Sequence, residues 1–446
     1  MGIENLVAKT SRLVLRLSGR EATALPGKVA LALNPKFIER ALARIPMGVV
    51  FVTGTNGKTT TTNILGAILR GQGLTVLSNA RGSNMNQGIA SEIVAQSGPF
   101  GGLRADIAVL EVDEAVASRL APVLHPRFSV VLNVHRDQMD RYGEVDTTAG
   151  LLAKVAAATT ECVLFDSGDD STASIAAGVE AGRRASFSGR APVVAAAAEA
   201  GAAAAAAADA GVAEDGATSA GAGAGTEDAA ADRDASVVDL RSRTPDSAVV
   251  RIRGQEVALP LHLQAGYQVV DAMAAIGLAS LILGDRLDTD RLAETMEDIR
   301  PAFGRGEIFE IGDLSLCVVL VKNPNSFNTV LRSRDYDLSR VMIAVNSEYA
   351  DGRDISWIWD VRMDAFRPAG VDQVAGTRCY DMALRLGYDG IAVGHAAPDL
   401  TAGIEGFVSR ARADGGGFAI MFCNYTTMLA ARRVLQRLQE TRSAVA

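Results

Sequence analysis

An apolar run, Val49-Val50-Phe51-Val52, feeds directly into Thr53-Gly54-Thr55-Asn56-Gly57-Lys58-Thr59-Thr60, and residues 63–69 then carry a helical pattern. A short, continuous apolar run of this kind reads as a strand buried on both faces. Strand, glycine loop, Lys-Thr and helix together form a cradle for phosphate. The glycines let backbone N–H groups turn toward phosphate oxygens with no Cβ in the way. The helix N-terminus adds its positive dipole end. In that context Lys58 neutralises the β/γ-phosphates and the Thr59 hydroxyl sits on Mg²⁺. Gly54, Thr55, Asn56, Gly57, Lys58, Thr59 and Thr60 are therefore the candidate nucleotide-binding residues. The loop is short, with two residues between Gly54 and Gly57 where the commoner pattern has four.

The same alternation continues downstream. Apolar runs at 74–77, 105–110, 128–133 and 162–165 are separated by helical segments, which predicts a doubly wound parallel sheet with ligands at its carboxyl edge. Residues 1–45 form a short helical lead, broken at Leu25-Pro26-Gly27 and amphipathic enough to lie on the next domain. Residues 46–298 form the central domain. Within it, residues 195–235 are dominated by Ala, Gly, Asp and Glu with no aromatic residue, the composition of a flexible insertion. From residue 299 a second α/β unit follows, with strands expected near 316–321, 341–345 and 418–422 and an amphipathic helix at its end.

Composition narrows the function classes. A chain of 446 residues with 48% apolar content has enough material for two or three cores. The formal charge of −8 supplies no global basic field for nucleic acid. No uncharged apolar run reaches the ~18 residues of a membrane span, and the first residues lack a signal-peptide pattern. Cys162, Cys317, Cys379 and Cys423 are scattered, as expected of thiols in a reducing cytoplasm, and no pair has zinc-ligand spacing, so no zinc site is expected.

Further candidates follow the predicted strands. Glu111 closes the apolar run 107–110, where a carboxylate in the sheet of a phosphate loop usually holds Mg²⁺, directly or through water; Asp113-Glu114 also start a helix, so a capping role is the alternative. Residues 133–143 follow another strand and include His135 and Gln138. Arg305, in Phe303-Gly304-Arg305-Gly306-Glu307, is placed either to reach the nucleotide or to form a surface ion pair. Asn323 lies in a turn after the strand at 316–321.

The loop Gly-Thr-Asn-Gly-Lys-Thr-Thr resembles that of the Mur ligase and folylpolyglutamate synthase superfamily. With 110–114, 136–143 and the C-terminal stretches 321–327 and 351–360 added, nearly the whole chain resembles the MurT family, the Mur-ligase-like subunits of lipid II isoglutaminyl synthase. The resemblance implies a P-loop Mur-ligase-type central domain followed by a second, Rossmann-like α/β domain. It implies ATP and Mg²⁺, with activation of the D-glutamate α-carboxylate in the lipid II stem peptide and attack by ammonia to give D-isoglutamine. It further implies a GatD-like class I glutaminase partner and a cytoplasmic enzyme acting at the inner face of the plasma membrane. By the same resemblance Gln138 stands where other Mur ligases place a magnesium-reaching His. Gln268 and Asp271 stand where they place adenine-contacting asparagines, and Lys154 where several carry a carbamylated lysine. Asp354 is the implied catalytic carboxylate, with Asp351 and Asp360 behind it, and Arg378, Asp381, Arg385 and Tyr425-Thr426 line the cleft and partner surface. The competing readings are an amino-acid ligase of the Mur or folate type, against which the absence of an N-terminal substrate domain argues, and a nucleotide-binding scaffold without catalysis.

Overall fold

The computed structural model describes residues 3–17, 25–79, 84–98, 102–134, 145–189, 236–244, 246–263, 265–300, 305–333, 336–348, 351–352 and 354–443. Two sheets organise them. The first contains β1 (Val49–Thr53), β2 (Val76–Ser78), β3 (Ile107–Glu111), β4 (Phe128–Val131), β5 (Cys162–Asp166), β6 (Arg184–Ser188), β7 (Ser236–Arg243), β8 (Ser247–Ile252) and β9 (Gln255–Pro260). Their order is β2-β3-β1-β4-β5-β6-β7-β8-β9, parallel from β2 to β7 and antiparallel thereafter. The strand order reverses around β1, so the loop that follows β1 opens at the switch point of a doubly wound sheet, where such folds bind ligands.

The central strands are apolar along their whole length because both faces are covered. Val50 and Val52 of β1 join one buried cluster with Ile64, Leu65 and Ile68 of the helix α4 (Lys58–Gly71; α1 to α3 belong to the lead). Val49 and Phe51 point the other way, into a cluster with Phe37, Ile89 and Ile93. The lead supplies that second face through α1 (Ile3–Leu17), α2 (Leu25–Leu33) and α3 (Phe37–Leu42), docked on α5 (Asn86–Gln96). Pro26 sits in the first turn of α2, where its missing N–H costs nothing. Gly27 is required by contact: its N–H donates to Ser91 Oγ at 2.8 Å, and a Cβ there would lie 1.8 Å from Gln87 O. Gly27→Ala is therefore expected to lower stability by about 3 kcal/mol, the upper end of an overpacking cost. Urea unfolding checks this, and a wild-type midpoint would show that α2 can lift away freely.

The helix Gly266–Leu283 runs against α4 and strands β4 to β7. With its extension to Arg286 it is long and apolar enough to cross a membrane, but 78% of it is buried inside the domain. Its apolarity reflects a core position.

The second sheet has the order β10-β11-β15-β12-β13-β14, from β10 (Arg305–Ile311), β11 (Leu314–Leu320), β12 (Val341–Ala344), β13 (Val371–Ala375), β14 (Val393–Ala397) and β15 (Gly417–Cys423). Only β10 is antiparallel to its neighbour. The three strands expected from sequence are its central ones, β11, β15 and β12. β13 and β14 carry Asp372, Gln373 and His395 and lie toward the edge, so they lack the continuous apolar signature. β6, β10 and the antiparallel extension β7 to β9 likewise lack a continuous apolar run: β7 and β8 mix buried with half-exposed residues and β9 is mostly exposed. The alanine-rich stretch 195–235 lies outside the described residues.

Candidate active site

β1 ends at Thr53 and α4 begins at Lys58, so the four residues between them form the whole loop. Gly54 has φ +125° and Gly57 φ +86°, both in the region that favours glycine. Contact adds to conformation. A Cβ on Gly54 would meet the Asn133 backbone at 3.0 Å, and one on Gly57 would meet Asp271 Oδ1 at 2.1 Å.

The loop is clamped from the end of β4. Thr55 N donates to Asn133 O at 3.1 Å and Asn56 N to Asn133 Oδ1 at 2.8 Å, while Asn133 Nδ2 returns a bond to Asn56 O at 3.1 Å. Asn79, after β2, does the same for β3: its amide donates to Glu111 O at 2.7 Å and accepts from Glu111 N at 2.8 Å. Neither asparagine was assigned a role from sequence. Their signal was position, since each follows a strand at the carboxyl edge.

Lys58 is almost fully buried. Its ammonium donates to Gly54 O, to Thr55 O at 3.2 Å and to Glu114 Oε1 at 3.2 Å. Thr59 Oγ1 donates to Glu111 Oε1 at 3.0 Å. A hydroxyl and a carboxylate held together at the loop are hard oxygen donors of the kind Mg²⁺ prefers, with water and phosphate completing the shell. Asp113 caps the helix α6 (Glu114–Leu124), accepting from Ala115 N at 3.2 Å. Glu111 thus faces the loop while Asp113 serves the helix. Gln138 and His135 lie outside the described residues. Thr60 is buried in the first turn of α4. Lys154 lies on the helix Val145–Ala158, with its side chain exposed to solvent.

The second domain closes on this loop. Lys322, just past β11, places its ammonium 3.4 Å from Thr55 O. A second lysine therefore stands at the loop beside Lys58. Asn323 caps the helix Pro324–Ser333 through Oδ1, which accepts from Ser326 N at 2.8 Å; its Nδ2 is buried with no hydrogen-bond partner among the described residues. Gln268 is buried at the start of the helix Gly266–Leu283, accepting from Ala265 N at 3.3 Å, and its Nε2 lies 3.7 Å from where a Cβ on Gly306 would be. Asp271, one turn on, presents its carboxylate to Gly57 of the loop. Gln268 therefore faces Gly306 of the second sheet, and Asp271 faces the loop. Arg305 opens β10, and its side chain lies outside the described residues.

The other candidates cluster at the carboxyl edge of the second sheet. Asp351 accepts from Thr426 N at 2.8 Å and from the Thr426 hydroxyl, tying its loop to the N-terminus of the last helix, Tyr425–Ser443. Asp354 is exposed; it accepts from Ser356 N at 2.8 Å and Ser356 Oγ at 3.0 Å and so starts the 3₁₀ turn Ser356–Asp360. Asp360 ends that turn, exposed, with its carbonyl accepting from Asn328 Nδ2 at 3.2 Å. Of the two tryptophans, Trp357 leans on the core and Trp359 is exposed. Arg385 is a fastener: buried, it donates to Ile358 O and Val361 O, pairs with Asp389 at 2.7 Å and stacks on Trp359. Arg378 donates to Ser347 Oγ at 2.9 Å.

The thiols are quiet. Burial pushes Cys317 up to about 12 and raises Cys379 and Cys423 as well. Cys162 is half-buried on β5.

Known proteins share this fold. The structure resembles MurF of Acinetobacter baumannii, with a TM-score of 0.65 at 16% identity over 92% of this chain and 80% of that one. It also resembles the folylpolyglutamate synthase of Mycobacterium tuberculosis solved with ADP and AMPPCP, with a TM-score of 0.61 at 15% identity over 93% and 98%. The fold is that of the Mur ligases, and the profile "Mur ligase middle domain" matches residues 52–181. The profile "MurT ligase C-terminal" matches residues 320–428. The lipid II isoglutaminyl synthase (glutamine-hydrolyzing) subunit MurT of Streptococcus pneumoniae is 30% identical over 98% of this chain and 97% of its own length, and the Staphylococcus aureus subunit is 25% identical over 95% and 94%. The chain belongs to the MurT family and is a Mur-type ligase.

Proposed function

We propose that this protein is the synthetase subunit of a lipid II isoglutaminyl synthase. It transfers the γ-phosphoryl group of ATP to the α-carboxylate of D-glutamate in the lipid II stem peptide. Ammonia then attacks the acyl phosphate, phosphate leaves, and D-isoglutamine remains. The carrying observation is the loop itself, with Lys58 and the Thr59–Glu111 pair gathered at the switch point. Lys58 and Lys322 place two cations against a transferring phosphoryl group, which needs positioning and charge neutralisation more than covalent help. Thr59 and Glu111 would hold Mg²⁺, which supplies charge neutralisation on the phosphates. The buried Nδ2 of Asn323, next to Lys322 in the chain, offers a donor.

The nitrogen source is a second chain. Glutamine hydrolysis needs an accessible, activated nucleophile, and Cys317, Cys379 and Cys423 are buried in the second sheet's domain, away from solvent. A GatD-like class I glutaminase is the partner, and the site of action is the cytoplasmic face of the membrane that carries lipid II. The test is to incubate the purified protein with ATP, Mg²⁺, lipid II and ammonium chloride, then analyse the stem peptide by mass spectrometry. Amidated product with stoichiometric ADP supports the reading. ATP turnover that instead requires a free amino acid as acceptor would overturn it in favour of an amino-acid ligase.

A further inference from the structure

We propose that Glu114 is a positioning residue for Lys58: an internal anion that holds the ammonium at the loop and must yield it before a nucleotide phosphate can bind. The inference rests on the nucleotide reading above. An ammonium has three N–H donors. Among the described residues Gly54 O, Thr55 O and Glu114 Oε1 accept from them. A phosphate oxygen that contacts Lys58 competes with these acceptors for the ammonium. The two carbonyls belong to a loop pinned at Thr55 and Asn56 by Asn133. Glu114 is the acceptor on another element, reaches Lys58 through a rotatable side chain, and carries the negative charge that phosphate would duplicate.

Helix capping does not account for Glu114. Asp113 performs that task, and a first-turn glutamate serving the helix dipole would normally face water. The Glu114 side chain is instead only 8% exposed and that of Lys58 only 9%. Two desolvated charges gain little stability over an apolar pair of similar size, so the pair is better explained by what it does to the site. It keeps the lysine ordered at the loop, and it sets a cost on nucleotide entry, because the displaced carboxylate loses its counter-ion.

The experiment compares wild type with Glu114→Gln, whose amide oxygen still accepts from Lys58 but carries no charge. ADP affinity is measured by calorimetry in EDTA, so that no divalent cation contributes. The variant should bind ADP about tenfold more tightly, the equivalent of one charge-assisted hydrogen bond that no longer has to be broken. The ADP-induced shift in Tm should be larger in the variant even where its basal Tm is lower, a readout that a purely structural role would not produce. Glu114→Ala should move affinity in the same direction and keeps the test open if the glutamine variant does not fold. Unchanged or weaker ADP binding by folded variants overturns the proposal while leaving the nucleotide reading intact. Failure of the wild type to bind ADP overturns both.

Discussion

Lys58→Ala is expected to lower ATP turnover by about 10²–10³-fold, the loss seen when a preorganised charge-stabilising donor is removed. The ammonium is held at the loop by backbone carbonyls of Gly54 and Thr55, so its position is set before the phosphoryl group moves. Lys322 stands 3.4 Å from Thr55 O and reaches the same region, but from past β11 of the second sheet and on the far side of the loop's Thr55 carbonyl. It should leave the residual rate above background without restoring it. The substitution also strands Glu114 in a buried position, which costs about 3–5 kcal/mol when a buried pair loses one member. The double variant Lys58→Ala/Glu114→Gln removes that liability and separates lost catalysis from lost fold. Near-normal turnover by the folded double variant would refute the assignment of the phosphate loop.

Much of this site was legible because parallel α/β chemistry is written locally. The run 49–52, two glycines at positive φ, and Lys-Thr at a helix start lie within a dozen residues, and Glu111 announces itself by ending an apolar strand. Contacts between distant segments were not legible. Asn133 clamps the loop across 77 residues and Asn79 grips Glu111 across 32, and each looks from sequence like an ordinary strand-end residue. Lys322 meets Thr55 across 267 residues, which depends on how the two domains face each other. Glu114 looked like a helix-starting acid, because only its burial separates a dipole role from an ion pair. The strands that escaped notice are β6 to β10, β13 and β14; charged, hydroxyl or half-exposed residues interrupt their apolar signal, as Arg184, Ser186 and Ser188 do in β6. Arg385 shows another limit: its place in the family pattern suggested a cleft wall, and what the structure shows is a buried side chain that holds the turn Ser356–Asp360.

Asp354→Asn should block amide formation more than nucleotide binding. The carboxylate starts the 3₁₀ turn by accepting from Ser356 N and Ser356 Oγ, and an asparagine oxygen accepts from the same backbone N–H. The turn therefore survives, and what is lost is the charge that orients ammonia or takes its proton during attack. The phosphate loop belongs to the other domain, so the expected signature is a fall in kcat with a smaller change in KM for ATP. Asp351 gives a contrast, because both its oxygens engage Thr426 and its loss should loosen the last helix as well. Asp354 sits exposed on its turn, three residues from the half-buried Trp357 and five from the exposed Trp359, so the ammonia arm decides where it acts. With ammonium chloride supplied directly, the deficit should persist, since the charge serves the attack step and not the supply of nitrogen. Restoration of the rate by ammonia would place Asp354 on the delivery side of the partner interface and remove it from the synthetase chemistry.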